Sequence, residues 1–443
     1  MKIKGAKRWV VLVVLSLFAG EMVYTPYIRF NYYDQMAIAV TEYKPIVDAA
    51  NVNEFIGTTG MIVGFVSMIM YIVGGLLADK FRERNLILLG GVTLAAGAAW
   101  FGLLPDANQI LAAHAVMALG VGFMWSAYLK TTRKLGNAHE QGRMFSTSEF
   151  IRGIIGTALG FMGVALLNQG ILPSGEMDPS IIGPQLSLLL FINAGMFLVL
   201  SFAAFMLIPK NLVGNEEADD AEQVPFSFRF MLDAAKLPAV WFGVGILFCG
   251  YSLTAAASGY LGTYTVQVLG VDPTAASSFA IVRNYIIAAV STLLIGFVAL
   301  FFKSEIKTLG IYMGVTAAVV ALLMLFSGNT GIGIAITFVF AFFYTGMRGL
   351  YFATLSEMRV PVHLTGIAIG VMSFLGYTPD VFFSKIAGIW LDSYGTAGFT
   401  YIWAYAIACG VLGVVVAFFA YRYAKKKQAE VDGAAAVPAD AAA

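Results

Sequence analysis

Long apolar segments recur along the whole chain, and they restrict the folds that it can adopt. Of its 443 residues, 59% are hydrophobic and 12% are charged, whereas ordinary soluble domains carry about 25% charged residues. A helix that crosses a bilayer needs about 20 apolar residues. The sequence therefore predicts an all-α membrane protein with twelve transmembrane helices, at about residues 9–33, 54–78, 85–104, 108–129, 144–167, 186–208, 239–264, 276–302, 308–326, 331–356, 365–390 and 399–421.

A polar stretch separates the first six apolar segments from the last six. It contains the acidic run NEEADDAEQ, and we expect residues 210–237 to form a cytoplasmic linker. This division predicts an N-terminal six-helix half at residues 1–209 and a C-terminal six-helix half at residues 238–423. Residues 424–443 are of low complexity, which predicts a disordered cytoplasmic tail.

Basic residues are distributed unevenly between the two predicted sides of the membrane. With a cytoplasmic N-terminus, 21 of the 27 Lys and Arg residues fall on the cytoplasmic side and one, Lys44, falls in an outer loop. Such a bias follows the positive-inside rule. The start MKIKGAKRW enters the first apolar segment without a small-residue cleavage site, so we expect that segment to be retained. The pattern predicts a multi-pass protein of a bacterial inner membrane with both termini in the cytoplasm.

The first apolar segment contains charged side chains that a simple anchor would not need. Glu21 and Arg29 lie in the run GEMVYTPYIRFNYYDQM. A charged side chain at mid-bilayer costs roughly 2.5–3.5 kcal/mol on insertion scales, and intramembrane charge is typical of a solute or ion pathway. The alternative is that Glu21 and Arg29 neutralise each other or a group on a neighbouring helix.

Other spans also contain charged residues, and their depth suggests different roles. The predicted topology places Glu21, Arg29, Arg283 and Asp380 at or outside the midplane, where we expect contacts with a solute or with protons; the inner half contains Glu149, Arg152, Arg348 and Glu357. Glu149 and Arg152 are three residues apart on one helical face and can form an ion pair, which favours a gating role. With Lys385 included, the spans contain five bases against three acids, which favours an anionic organic solute.

The loop between spans 2 and 3 carries a recognisable motif. Its sequence, GLLADKFRER from Gly75 to Arg84, resembles the G-x-x-x-D-[RK]-x-G-[RK]-[RK] loop of the major facilitator superfamily. Gly75, Asp79, Lys80 and Arg84 match that pattern, whereas Arg82 replaces its second glycine and Glu83 replaces a base. The resemblance covers about residues 8–422 and implies two six-helix halves that rock around a central site.

The resemblance also implies roles for individual residues. The matching residues Gly75, Asp79, Lys80 and Arg84 would act in gating, Gly75 by allowing close helix approach and Asp79 by accepting hydrogen bonds from a facing helix N-terminus. The fragment from Tyr27 through Arg29 to Asn31 is similar to the Y-x-x-R-x-N motif of the organophosphate:phosphate antiporters, whose arginine binds phosphate. The tyrosine here is one residue closer, and span 7 lacks that branch's second arginine.

Within this family the expected function is secondary transport of a small anionic solute such as a sugar phosphate, a sulfonated sugar or a sugar acid. Candidate coupling modes are proton symport and antiport against an anion such as inorganic phosphate. We expect solute contacts from Tyr27, Arg29, Asn31, Arg283, Asn284 and Arg348, and proton coupling through Glu21 and Asp380. The alternative is a sensor of the same fold that binds a solute without moving it.

Several other functions are not expected. The chain has no P-loop, so ATP is not the predicted energy source, and it has no basic stripe for nucleic acid. No nucleophile–base or metal-ligating constellation suggests an enzyme, and we expect no cofactor and no metal. A monomer in the lipid bilayer is sufficient for the predicted function.

Overall fold

The computed structural model describes residue 3 and residues 5–136, 140–210, 212 and 236–435. These residues are overwhelmingly helical, and an isolated bridge between Ile171 and Met177 is the β-type pairing seen among them. The predicted all-α class is therefore confirmed. Most of the predicted linker lies outside the described residues.

In the predicted N-terminal half, the residues that the structure describes form seven α-helices. They are α1 (Ala6–Tyr24), α2 (Tyr33–Ile38), α3 (Val52–Lys80), α4 (Glu83–Gly102), α5 (Ala107–Leu135), α6 (Gln141–Leu167) and α7 (Pro179–Leu207). Helix α4 packs between α5 and α7, and α3 packs on α5. Aspartates cap several of these helices, as Asp106 does by accepting a hydrogen bond from the Gln109 N–H at 3.0 Å.

Nine further α-helices lie within residues 236–435, which include the predicted C-terminal half. They are α8 (Pro238–Gln267), α9 (Pro273–Ile281), α10 (Ala288–Phe302), α11 (Glu305–Leu325), α12 (Thr330–Gly346), α13 (Thr354–Glu357), α14 (Val362–Gly376), α15 (Pro379–Tyr394) and α16 (Gly398–Ala435). Helix α16 packs against α8 and α11. It continues through Ala435, so the first part of the predicted disordered tail is helical.

Eleven helical stretches among the described residues are long and apolar enough to cross a membrane. The last of them runs from Ile367 to Glu430 and contains 64 residues. The sequence predicted two separate spans in that region. Within it the chain is interrupted between α14 and α15, and again by a short 3₁₀ turn at Gly395–Ala397.

The two halves meet most extensively along one antiparallel helix pair, α3 and α15; a second contact is formed by α6, which packs on α9 and on the π-helical segment Val282–Ile287. We call the contact between α3 and α15 the distal seam; it comprises Asn53–Gly64 of α3 and Asp380–Asp392 of α15. A β-carbon at Gly57 would collide with the Ser384 carbonyl group, and one at Gly64 would lie 2.6 Å from the Asp380 Cβ. Glycine is therefore required at these positions because the two helix backbones are nearly in contact.

Polar bonds reinforce the distal seam at the end where α3 begins. Asp392 Oδ1 accepts hydrogen bonds from the backbone N and the Nδ2 of Asn53 at 3.1 and 2.8 Å, and Oδ2 accepts one from the Glu54 N at 2.6 Å. Lys385 lies 3.3 Å from the Glu54 carboxylate. The α3 N-terminus is thus capped by a carboxylate from the other half, which the helix dipole also favours.

We predict that Asp392→Asn loosens the distal seam. The amide group replaces one acceptor oxygen with a donor that faces the Glu54 N–H, so at least one bond is lost, at a cost of about 1–3 kcal/mol. The measurement is the distance between spin labels at Ala50 and Thr396, two exposed residues flanking the seam, in a background without Cys249 and Cys409. The distribution should shift to longer distances.

The matched control is Asp106→Asn, which weakens an aspartate cap within one half. This control should leave the spin-label distance unchanged even if it lowers the melting temperature. An unchanged distance in Asp392→Asn would contradict a role for Asp392 in holding the halves together.

Candidate functional site

Four of the predicted intramembrane charges lie where a helix is interrupted. Arg29 is in a 3₁₀ segment, Thr25–Phe30, that has Pro26 near its start. Arg283 is in a π-helical segment, Val282–Ile287, and Arg348 is in a 3₁₀ turn, Met347–Gly349. Asp380 is the second residue of α15, directly after Pro379. Interrupted helices are frequent at functional sites and at the binding sites of transporters.

Arg29 is buried at the distal seam. Its side chain is 3% exposed, its Nη2 donates to Ser384 Oγ at 2.7 Å, and its guanidinium carbon lies 4.7 Å from the centre of the Phe30 ring. The Nε and Nη1 atoms are buried without a hydrogen-bond partner. A β-carbon at Gly60 would lie 2.6 Å from Nη2, so α3 accommodates the guanidinium through a glycine.

A small cavity adjoins Arg29 between the two halves. It is lined in part by Asn31, Asp34, Gly259 and Ser277. Thr263 and Gln267, both on α8, donate to Asp34 Oδ1 at 2.7 and 3.1 Å. Burial raises the pKa of the Asp34 carboxyl group, and these hydrogen bonds oppose that rise.

A chain of polar side chains joins the two halves beside Arg29. Tyr344 donates to Asn284 Oδ1 at 3.2 Å, and Asn284 Nδ2 donates to Asn31 Oδ1 at 3.2 Å. Asn31 Nδ2 in turn donates to the Tyr285 hydroxyl at 3.3 Å. The predicted contacts Asn31 and Asn284 are therefore neighbours, although they are 253 residues apart in sequence.

Arg348 presents an exposed guanidinium group to the same region. The residue is exposed, and within the described chain it forms no hydrogen bond or ion pair. Its charge acts on the hydroxyls of Tyr251, Tyr285 and Tyr344, which lie on α8, the π-helical segment and α12. It is thus directed towards the interior of the bundle and not towards lipid.

Asp380 interacts electrostatically with both Arg29 and Arg348. The charges of Arg29 and Arg348 both act on its carboxylate, and the Tyr251 hydroxyl donates to its Oδ2 at 2.6 Å. The Tyr251 ring packs edge-on against Tyr377, with their centroids 4.6 Å apart. Arg29 and Asp380 contact α3 one helical turn apart, at Gly60 and Gly64, and Arg348 is close enough for its charge to act on Asp380.

Arg283 lies within the C-terminal half. It is 2% exposed, and its Nη1 donates to Thr337 Oγ1 of α12 at 3.0 Å. Its carbon Cζ lies 5.8 Å from the centre of the Phe338 ring. In this arrangement the accessible guanidinium belongs to Arg348, whereas Arg283 is used for packing between helices.

Glu21 is fully buried in α1, and neither of its carboxylate oxygens has a hydrogen-bond partner. An ionised carboxylate in such a place would lack compensation for its lost hydration. Tyr27, six residues further along in the 3₁₀ segment, packs its ring 5.2 Å from that of Phe30. Glu21 is therefore separate from the polar chain that includes Asn31.

The residues of the motif between α3 and α4 are only partly as expected. A β-carbon at Gly75 would meet no atom within 4 Å, so the predicted close helix approach is absent there; Gly74 makes it instead, against the Gly122 carbonyl. Lys80 is exposed, and Arg84 stacks 4.0 Å from the Phe205 ring. The side chain of Asp79 lies outside what the structure describes.

Glu149 and Arg152 form the predicted ion pair on α6. Arg152 also lies over the Trp125 ring at 5.3 Å. Both partners belong to the same helix, so the pair alone does not join the two halves. A gating role for it stays a prediction.

Sequence reasoning did not identify Ser384, Tyr251 or Tyr344. A serine in an apolar helix and individual tyrosines among 20 in the chain carry no distinguishing signal. Their positions follow from tertiary packing alone. Among the described residues, no group of three or more His, Cys, Asp or Glu side chains could hold a metal ion.

Two proteins of Escherichia coli (strain K12) are similar to the chain over nearly its whole length. The inner membrane protein YqcE is 25% identical over 437 residues, which cover 97% of this chain and 98% of YqcE. The inner membrane protein YihN is 23% identical over 442 residues, which cover 96% and 98% respectively. With the apolar helices, these relatives indicate a multi-pass inner membrane protein.

Solved transporter structures share the fold. A bacterial homologue of the human lysosomal transporter Spinster, inward-facing and unoccupied, matches with a TM-score of 0.69 at 13% identity, over 96% of this chain and 98% of that one. The inward open xylose transporter XylE from E. coli matches with a TM-score of 0.69 at 15% identity, over 94% and 96%.

A family model decides the assignment. The model described as Major Facilitator Superfamily matches residues 10–384, which include the motif from Gly75 to Arg84 and the interrupted helices around Arg29 and Arg348. The family and the structural neighbours indicate a transporter and not an enzyme. The chain belongs to the Major Facilitator Superfamily.

Proposed function

We propose that this transporter carries a small organic anion, such as a sugar phosphate, a sulfonated sugar or a sugar acid, by alternating access. The observation that supports this most is that a buried Arg29 and Asp380 lie one turn apart against α3, where the charge of an exposed Arg348 also acts on Asp380. The two guanidinium groups outnumber the Asp380 carboxylate, although a second acid, Asp34, lines the cavity beside Arg29. Their planar donors suit phosphate, sulfonate and carboxylate oxygens.

We further propose twelve membrane crossings with both termini in the cytoplasm. A straight helix of 64 residues would be about 96 Å long, far more than the 30 Å hydrocarbon core. The stretch Ile367–Glu430 is interrupted at Gly395–Ala397, and two crossings fit it better than one. The positive-inside bias then assigns the distal seam to the outer side.

In that orientation the structure corresponds to an inward-facing state. The described hydrogen bonds between the halves, such as those of Asp392 and Arg29, then lie on the outer side, and Arg348 is an exposed residue that the proposed topology places in the inner half. Anion release to the cytoplasm would occur from Arg348. Arg29 would meet the solute when the distal seam is open.

Asp380 and Glu21 are the candidates for proton coupling. Asp380 lies within the field of both arginines, so an anion that binds them competes with its negative charge; protonation of Asp380 would relieve that repulsion. Glu21 would be protonated in this conformation because its buried oxygens have no partner. In an antiport mode, inorganic phosphate would occupy the same arginines on the return step.

We expect Arg29→Ala to abolish uptake into proteoliposomes while leaving expression intact. The substitution removes the outer anion ligand, yet the fold should tolerate it because two of the three donor nitrogens of Arg29 are unpaired. Uptake of radiolabelled glucose 6-phosphate, glucuronate and a sulfonated glucose provides the measurement. Arg359→Ala is the control, since Arg359 is bonded to Gln428 away from the site. Full uptake in Arg29→Ala would disprove the assignment.

Arg348→Ala should weaken binding of the same anion to the inward-facing state by about tenfold to a hundredfold, the range for a hydrogen bond to a charged group. Calorimetric titration of the purified protein in detergent tests this. Arg283→Ala is the comparison, because Arg283 is bonded to Thr337 within the half. If Arg283→Ala lowers the affinity for the anion more than Arg348→Ala does, then Arg283 and not Arg348 contacts the anion.

Asp380→Asn should remove the dependence of uptake on an inward proton gradient while permitting exchange of solute across the membrane. An amide cannot take up the proton that balances the anion. Uptake with and without a pH gradient across the vesicle membrane distinguishes the two outcomes. If gradient-driven accumulation persists in Asp380→Asn, then a group other than Asp380 couples transport to protons.

If the wild type binds the anion without any uptake, the protein is the sensor described as the alternative.

A further inference from the structure

Ser384 occupies the point at which the C-terminal half closes over Arg29. Its Oγ accepts the hydrogen bond from Arg29 Nη2 at 2.7 Å, and its backbone carbonyl accepts one from the Tyr260 hydroxyl at 2.5 Å. The same carbonyl faces Gly57 of α3. The residue is 2% exposed, so its hydroxyl lies in the interior of the protein.

Arg29 is incompletely bonded in this closed arrangement. One hydroxyl oxygen satisfies Nη2, whereas Nε and Nη1 are buried without partners. A phosphate, sulfonate or carboxylate group can instead accept two parallel hydrogen bonds from a guanidinium fork, and such charge-assisted bonds are stronger than a bond to a neutral hydroxyl. The closed seam therefore offers Arg29 a weaker substitute for an anion.

We propose that Ser384 is a positioning residue that releases the solute anion from Arg29. As the distal seam closes, the Ser384 hydroxyl replaces an anion oxygen at Nη2, so closure of the seam removes one of the bonds with which Arg29 holds the anion. The released anion is then held by Arg348, which is exposed. This inference rests on the proposed function, in which Arg29 is the outer anion ligand.

The geometry explains why a small hydroxyl is needed at this position. Ser384 lies where the α3 and α15 backbones are in contact, with its carbonyl group against Gly57 and its hydroxyl bonded to the guanidinium that packs on Gly60. A carboxylate there would neutralise Arg29 permanently and compete with every anion. A serine hydroxyl is a weak acceptor, so the anion can displace it when the seam opens again.

Ser384→Ala should separate affinity from turnover. Without the hydroxyl, the closed seam leaves all three donor nitrogens of Arg29 unpaired, so the ratio of open to closed seam should rise about tenfold or more. Because apparent affinity follows the fraction of binding-competent protein, KM should fall by up to the same factor. The turnover number should fall as well, because no Ser384 hydroxyl then competes with the anion for Arg29 and the anion is released more slowly.

The test measures transport and seam geometry together. Uptake in proteoliposomes uses glucose 6-phosphate, glucuronate and a sulfonated glucose; the distance between spin labels at Ala50 and Thr396 reports the seam without any ligand. The matched control is Ser291→Ala, which deletes a buried serine hydroxyl bonded to the Phe342 carbonyl within one half. Lower KM, lower turnover and a longer label distance in Ser384→Ala alone would support the proposal.

Other outcomes overturn it in distinguishable ways. If Ser384→Ala raises KM or leaves both KM and the label distance unchanged, Ser384 is a packing residue and the release role is wrong, while Arg29→Ala still reports on the anion site independently. If Arg29→Ala retains full uptake, or if the wild type transports none of the three anions, the proposed function fails and the exchange at Ser384 fails with it.

Discussion

The distal seam determines which groups of this protein a solute can reach. Helices α3 and α15 approach so closely at Gly57 and Gly64 that the Ser384 carbonyl and the Asp380 side chain occupy the space of a β-carbon. Arg29 is buried as a consequence, with a serine hydroxyl as its one described hydrogen-bond acceptor. Opening the seam would expose this arginine. The closed state bears the free-energy cost of burying its incompletely paired charge, and the open state does not.

Interrupted helices make it possible to place charge at mid-membrane. Three breaks in the helices release backbone groups from regular hydrogen bonding and redirect the adjacent side chains. They are the 3₁₀ segment that contains Pro26, the π-helical turn around Arg283 and the break before Pro379. Non-helical backbone is tolerated at this depth only when it is buried in protein or lines a cavity. The charged residues and the helix breaks therefore identify the same central region from independent physical constraints.

The sequence predicted the helical class and identified the charged residues, because insertion costs and the positive-inside bias act on each segment separately. It did not predict which charges meet. Arg283 resembled Arg29 in depth, yet packing bonds it to Thr337, whereas Arg348 reaches the shared region. Ser384 could not be found at all, because its role depends on a helix contact between residues 355 positions apart.

The account depends most on the claim that the central arginines bind an anion. A thermal-shift screen of the purified protein against sugar phosphates, sulfonated sugars, sugar acids and neutral sugars tests this directly, since a ligand that binds the folded state raises its melting temperature. We predict stabilisation by one anionic class, lost in Arg29→Ala. Stabilisation by neutral sugars alone, unaffected by Arg29→Ala, would show that these charges serve only to neutralise one another.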